Sequence, residues 1–144
     1  MVQLNKEINS WVFDLDNTLY PADSGIFHQV HVLMGKFISK YLNIEIKQAQ
    51  KIQRKYYKKH GTTLKGLMEN HEIDPDLFLE EVHRLDYSII HPNYELKKSL
   101  KKINGKKFIF TNANKKHADV VLDRLQISSL FDGIFDIKLA NYIP

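Results

Sequence analysis

The chain has no cysteine in its 144 residues. That excludes a disulfide framework, a Cys-based zinc site and thiol catalysis. No apolar run reaches the roughly 18 residues that a membrane-spanning helix needs. The first residues show no basic-then-apolar pattern, so the expectation is an unexported, cytoplasmic protein. Glycine and proline are scarce, six and four, and the chain holds no internal repeat and no low-complexity segment.

What is present has the balance of a soluble globule, 43% hydrophobic and 26% charged. The length suits one domain, or a small domain carrying an inserted module. The net charge is +4, and the lysines come in pairs, such as Lys97-Lys98, Lys101-Lys102 and Lys115-Lys116. Pairs on successive helical turns make a solvated face, so neither a nucleic-acid nor a membrane partner is expected. A basic field would still attract an anionic substrate.

The richest segment is Trp11-Val12-Phe13-Asp14-Leu15-Asp16-Asn17-Thr18-Leu19-Tyr20. Residues 11–16 read as a buried strand followed by a turn. Positions i and i+2 of a strand share a face, so Asp14 and Asp16 are expected to converge just past its end, with Thr18 at the same spacing. Two converging acids suit a divalent cation, or a nucleophile beside a general acid/base. A calcium loop over Asp14–Gly25 is excluded, because Leu19 stands where that loop needs Gly and Gly25 where it needs Glu.

After a loop at Pro21–Gly25 the pattern turns helical as far as Leu85. Phe27, Val30, Met34, Phe37, Ile38 and Tyr41 follow helical spacing. A second helix is expected over 45–59, stopped by Gly61. Thr62 or Thr63 caps a third, and Asp74-Pro75 starts a fourth with Leu77, Phe78 and Val82. Past His91-Pro92 strands return. Asn93 caps a helix with Leu96, Leu100 and Ile103 on one face, ending at Gly105. Residues 107–110 read as a strand running into Thr111-Asn112. Asn114 caps a helix with Ala118, Val121, Leu122 and Leu125 inward, and 133–137 read as a third strand. Strands alternating with helices imply an α/β fold with a parallel sheet, whose ligands sit at the carboxyl ends of the strands. Asp14, Asp16, Thr111 and Asn112 all fall there.

Asp14-Leu15-Asp16-Asn17-Thr18-Leu19-Tyr20 resembles the first motif of the haloacid-dehalogenase-like phosphatase superfamily, and Phe110-Thr111-Asn112 resembles its second. The helical insertion resembles that superfamily's C1-type cap. Residues 20–27, 56–64 and 131–136 are similar to the pyrimidine 5′-nucleotidase-like subfamily. The resemblance implies a Rossmann-like core over 1–20 and 92–144 and a helical cap over 21–91. It implies that Asp14 is the nucleophile, forming an aspartyl-phosphate, and that Asp16 is the general acid/base. Mg²⁺ would bind the Asp14 carboxylate and the Asp16 carbonyl. Backbone N–H groups at Leu15 and Asp16 and the Thr111 hydroxyl would hold phosphoryl oxygens, and Asn112 would line the pocket or orient Asp16. The implied substrate is a phosphomonoester, such as a pyrimidine nucleoside 5′-monophosphate. A sugar-phosphate phosphatase or mutase is the alternative within the superfamily, and a chain that only binds a phosphoester or a partner is the alternative outside enzymology. A second acid argues against dehalogenation, since displacing halide needs no proton donor.

The superfamily pattern also has a third motif with a Lys and a fourth with one or two acids beside the metal. Up to Pro144 neither has a counterpart. A sharp fall in Mg²⁺ affinity is therefore expected, with turnover reduced to almost nothing where both elements are lost, and the first strand, left as an apolar edge, is expected to self-associate, to leave the fold marginally stable or to be covered by another segment. Other residues have plain readings. Tyr20, Tyr56 and Tyr57 suit either packing or substrate stacking. His28 and His60 read as surface or core residues, and His117 as the exposed face of a helix.

Overall fold

The computed structural model describes residues 8–144. They form six α-helices and a three-stranded parallel sheet, a mixed α/β fold. The chain divides into two compact units, one reaching Ser24 and resuming over Tyr87–Asp136, the other comprising Gly25–Asp86 and Ile137–Pro144.

The first unit contains the sheet. Strands β1 (Ser10–Phe13), β2 (Lys106–Phe110) and β3 (Gly133–Phe135) lie in that order. Trp11 pairs with Lys107 and Phe13 with Ile109, while Phe108 pairs with Gly133 and Phe110 with Phe135. Parallel neighbours require crossovers, and the segments joining β1 to β2 and β2 to β3 each contain helix. Helix α5 (Tyr94–Lys102) precedes β2 and α6 (Lys115–Arg124) precedes β3. Asn93 and Asn114 cap them as expected, each accepting a backbone N–H bond, from Leu96 and His117 respectively. The inward stripe of α6 is the expected one: Ala118, Val121 and Leu122 are buried, as is Leu125 just beyond.

Two expectations about this sheet are corrected. β1 stops at Phe13 rather than running to residue 16, because the Leu15 carbonyl accepts the N–H groups of Thr18 and Leu19 and closes a turn. Of the two readings of its exposure, buried strand and exposed edge, the second holds among the described residues, where β1 is an edge and Val12 is 69% exposed. β3 stops at Phe135, and Ile137, expected within that strand, packs in the second unit instead.

The second unit is helical: α1 (Ile26–Leu42), α2 (Ile46–His60), α3 (Thr63–His71) and α4 (Pro75–Val82). Its boundaries follow local chemistry. Gly61, in the left-handed region at φ 84°, ends α2. The Thr62 hydroxyl accepts the Lys65 N–H, and the Asp74 carboxylate accepts the Asp76 N–H with Pro75 opening the helix. The core gathers Ile38, Ala49, Tyr56, Leu64, Leu67, Phe78, Leu79 and Val82. Burying a side chain such as Phe78 contributes about 1.5–3 kcal/mol relative to leaving it in water. Phe27 and Tyr41, at the two ends of the expected α1 stripe, are exposed, as is Leu77.

Residues 137–144 belong with these helices, whereas the sequence placed everything after 92 with the sheet. Ile137 enters the helical core, and the Tyr142 N–H donates to its carbonyl at 2.8 Å. Lys138 Nζ and Tyr142 Oη both donate to Asp76, at 2.8 and 2.7 Å. No helix of the described residues is long and apolar enough to cross a membrane.

Candidate active site

The site is built on the turn that follows β1. Asp14 and Asp16 both lie just beyond the end of the strand, Asp16 already within the turn. Asn17 takes a left-handed conformation (φ 58°), which lets the chain curl so soon after the strand. The two acids consequently meet different surroundings.

Asp14 is exposed. Its Oδ2 accepts the Thr18 hydroxyl at 2.7 Å, so the i and i+4 positions of the turn hold the carboxylate in place. Leu15 is fully buried and offers the site only its backbone. Asp16 is half-buried, and its Oδ1 accepts two bonds: from Tyr20 Oη at 2.6 Å and from His117 Nε2 at 2.7 Å. Behind the imidazole, Tyr87 Oη lies 2.8 Å from His117 Nδ1. A carboxylate can only accept, so Nε2 carries a proton. In the neutral ring Nδ1 then accepts the Tyr87 hydroxyl.

These contacts leave their mark on the two phenols. Burial raises Tyr20 well above the usual phenol range, and the adjacent Asp16 charge adds to the effect. Burial and the same carboxylate push Tyr87 up to about 12. Both hydroxyls therefore remain donors through the neutral range.

His117 is the residue that sequence reasoning misplaced. It is 1% exposed, not on a solvent face. The signal was present in the spacing: His117, Val121 and Leu125 are four residues apart and share the inward side of α6. The chemical expectation that an imidazole faces water concealed it. Helix α6 presents it from a fixed base. The His117 N–H donates to Asn114 Oδ1 at 2.9 Å, and the Lys115 N–H donates to Asp136 Oδ2 at 2.8 Å. Tyr87 is placed by the short 3-10 turn Tyr87–Ile89, to which Arg124 Nη2 donates at the Ser88 carbonyl, 3.0 Å away.

Strand register brings the second motif alongside the first. Phe13 and Ile109 are paired, and Asp14 and Thr111 follow them at the carboxyl ends of β1 and β2. Thr111 is buried. Its N–H bonds the Phe135 carbonyl at 3.0 Å, and its Oγ1 accepts the Ala113 N–H at 3.0 Å. Asn112, next in the turn, is exposed.

Of the other candidates, Tyr56 is buried with its hydroxyl 2.6 Å from His71 Nε2, and Tyr57 and His28 are exposed. His60 Nδ1 pairs with Glu69 Oε2 at 2.7 Å. Asp132 and Asp136 serve the backbone, each accepting an N–H bond, from Lys107 and Lys115.

Among the described residues no group of three or more His, Cys, Asp or Glu side chains is placed to hold a metal ion. Mg²⁺ does not need such a group, since it keeps several waters and binds through one or two carboxylates plus substrate oxygens. The exposed Asp14 carboxylate fits that pattern.

No protein-family model matches the chain. It is 33% identical over 138 residues to Phosphate metabolism protein 8 of Saccharomyces cerevisiae, across 85% of this chain and 41% of that protein. The chain thus spans less than half the length of this curated relative. An α/β protein with a parallel sheet, similar to a protein named for phosphate metabolism, is the class that fold and comparison define together.

Proposed function

We propose that this chain carries the nucleophile and the general acid/base of a Mg²⁺-dependent phosphomonoester hydrolase. The observation that carries this reading is the contrast between two acids two residues apart. Asp14 is exposed beside a hydroxyl, and Asp16 is held by a phenol and a buried imidazole. An acid open to substrate and a second acid set in a fixed orientation are the parts that nucleophilic attack and proton transfer need. Similarity to a protein named for phosphate metabolism supports the same reading.

In the first step an Asp14 carboxylate oxygen bonds to phosphorus as the ester P–O bond breaks. Asp16 gives its proton to the departing oxygen. In the second step Asp16, now a carboxylate, takes a proton from water. The resulting hydroxide attacks the aspartyl-phosphate, inorganic phosphate leaves and Asp14 is regenerated. The Leu15 and Asp16 N–H groups and the Thr111 hydroxyl would hold phosphoryl oxygens, and Asn112 would line the same pocket. The Asp14 carboxylate and the Asp16 carbonyl would hold Mg²⁺, which when bound neutralises phosphate charge. A pyrimidine nucleoside 5′-monophosphate is the substrate we propose, on the resemblance of residues 20–27 and 56–64.

The test is phosphate release from uridine monophosphate and from an aryl phosphate with Mg²⁺, using the chain and an Asp14→Asn variant. Release that falls by at least about 10³-fold in the variant is expected, as for loss of a covalent nucleophile. Equal release from both proteins would refute Asp14 as nucleophile, and no release from either would refute hydrolysis by this chain.

A further inference from the structure

A second layer stands behind Asp16. The inward face of α6 is apolar apart from one side chain: Ala118, Val121 and Leu122 are buried, and His117 is buried among them. An apolar residue would fill that position without the desolvation penalty an imidazole incurs. The imidazole is instead bonded at both nitrogens, to Asp16 Oδ1 at 2.7 Å and to Tyr87 Oη at 2.8 Å.

The two donors on Asp16 do different work. Tyr20 stands four residues along the same turn, so its hydroxyl moves whenever the turn moves. His117 arrives from 101 residues away on a helix whose first turn is pinned by Asn114 and Asp136. Of these two contacts, the second fixes Asp16 relative to the sheet unit as a whole. Rigid support of this kind separates a carboxyl group that is merely nearby from one held at a productive angle.

We infer that His117, backed by Tyr87, is a positioning residue for Asp16: bonded to Oδ1, it holds the carboxyl group in the orientation that proton transfer needs. The inference rests on the phosphomonoesterase reading for its consequence in turnover, but not for its geometry. It names a proton on Nε2, facing Asp16, and a chain of contacts running from Tyr87 through His117 to Asp16.

The geometry is tested without turnover, by ¹⁵N and ¹H magnetic resonance of the histidine rings in the 144-residue chain. The expected result is a single His117 tautomer with a slowly exchanging Nε2 proton that shifts in an Asp16→Asn variant. Rapid tautomer exchange, or a ring indifferent to Asp16→Asn, would overturn the inference whatever the activity. The consequence is tested with two esters. A nitrophenolate leaves without protonation, whereas the 5′-oxygen of a nucleotide needs a proton, so a displaced acid harms the nucleotide reaction selectively.

His117→Leu is expected to lower kcat on uridine monophosphate on the order of 10²-fold, at the lower end of what acid–base catalysis supplies, with KM little changed. The aryl phosphate should lose less than about a tenth as much. His117→Gln, which keeps a donor, should recover part of the loss. Tyr87→Phe removes one hydroxyl and should show a smaller loss of the same pattern, which serves if the leucine variant fails to fold. Equal losses on both esters would mean His117 only supports the fold and would overturn the positioning role. If the unaltered chain hydrolyses neither ester, the phosphatase reading fails, while the ring spectra still decide whether His117 fixes Asp16.

Discussion

Gly66→Ala is expected to destabilise the helical unit, although helix propensity alone says the opposite. Within a helix alanine is favoured over glycine by about 1 kcal/mol. Here a Cβ at position 66 would stand 2.4 Å from Tyr56 Cβ, 2.5 Å from Tyr56 Cγ and 3.0 Å from His60 Cδ2. Carbon atoms prefer about 3.5–4.0 Å. The first of these contacts is the base of a side chain, so no rotamer change relieves it, and α2 and α3 must separate by more than about 1 Å there. Tyr56 is also tethered by its bond to His71, 2.6 Å long, and moving the ring endangers that bond. Overpacking costs about 1–3 kcal/mol, and a lost hydrogen bond about 1 kcal/mol more. Set against the propensity gain, the net loss is about 1–3 kcal/mol, which for a unit of this size lowers Tm by roughly 4–24 °C. Gly35→Ala is the internal control. Its nearest neighbours would be Gln53 Oε1 at 3.4 Å and Gln50 Cγ and Ile46 Cδ1 at 3.5 Å, ordinary contacts. There propensity should win, and Tm should rise by a few degrees. Helical circular dichroism during a thermal scan of both variants decides the matter. A Gly66→Ala protein that melts at or above the parent temperature would refute the close approach of α2 and α3.

Two further expectations concern the ends of the chain's units. Lys138 and Tyr142 hold the Asp76 carboxyl below its ordinary value of 3.8 by hydrogen bonding, so their stabilisation is complete above that value and is lost as pH falls through the lower, folded one. Because Asp76 and Lys138 are exposed the effect is below about 1 kcal/mol; amide exchange at Tyr142 and Ile143 should quicken only in strong acid, and Asp76→Asn should quicken it at neutral pH. For β1 we propose self-association through its outer edge, a concentration-dependent sedimentation coefficient that Val12→Lys abolishes by placing a charge on an exposed position of the edge strand. A parent chain that sediments as a monomer at every concentration would end that proposal.

The features legible in the sequence are those settled within three or four residues. Thr62, Asp74, Asn93 and Asn114 each place a side-chain oxygen on the expected N–H, because capping needs nothing from the rest of the fold. The α6 stripe was legible for the same reason. What was lost depended on distant partners. The apolar run around Val12 reads locally as a buried strand, yet among the described residues β1 has β2 on one side only and Val12 is exposed; that exposure was legible from the expected lack of a neighbouring strand, not from the local pattern. Ile137 continues the apolar pattern of β3, yet it is claimed by a helical core built from residues far upstream. Local pattern identifies the face that must be buried, but not the element that buries it.

The candidate site shows the same division in its chemistry. Asp14 and Asp16 have near-identical local sequences, each following a bulky apolar residue, and their spacing assigns neither a role. Their difference is created by tertiary contact. Thr18 reaches Asp14 from within the same turn, while Asp16 receives His117 from the far end of the chain. When two carboxyl groups are driven into different environments, the environments distinguish a nucleophile from an acid/base. A substitution at His117 should therefore alter the proposed proton-transfer step without touching Asp14, the group proposed to attack phosphorus. If instead it disabled attack and protonation alike, the two acids would form one coupled unit, and the separate roles proposed for them would have to be abandoned.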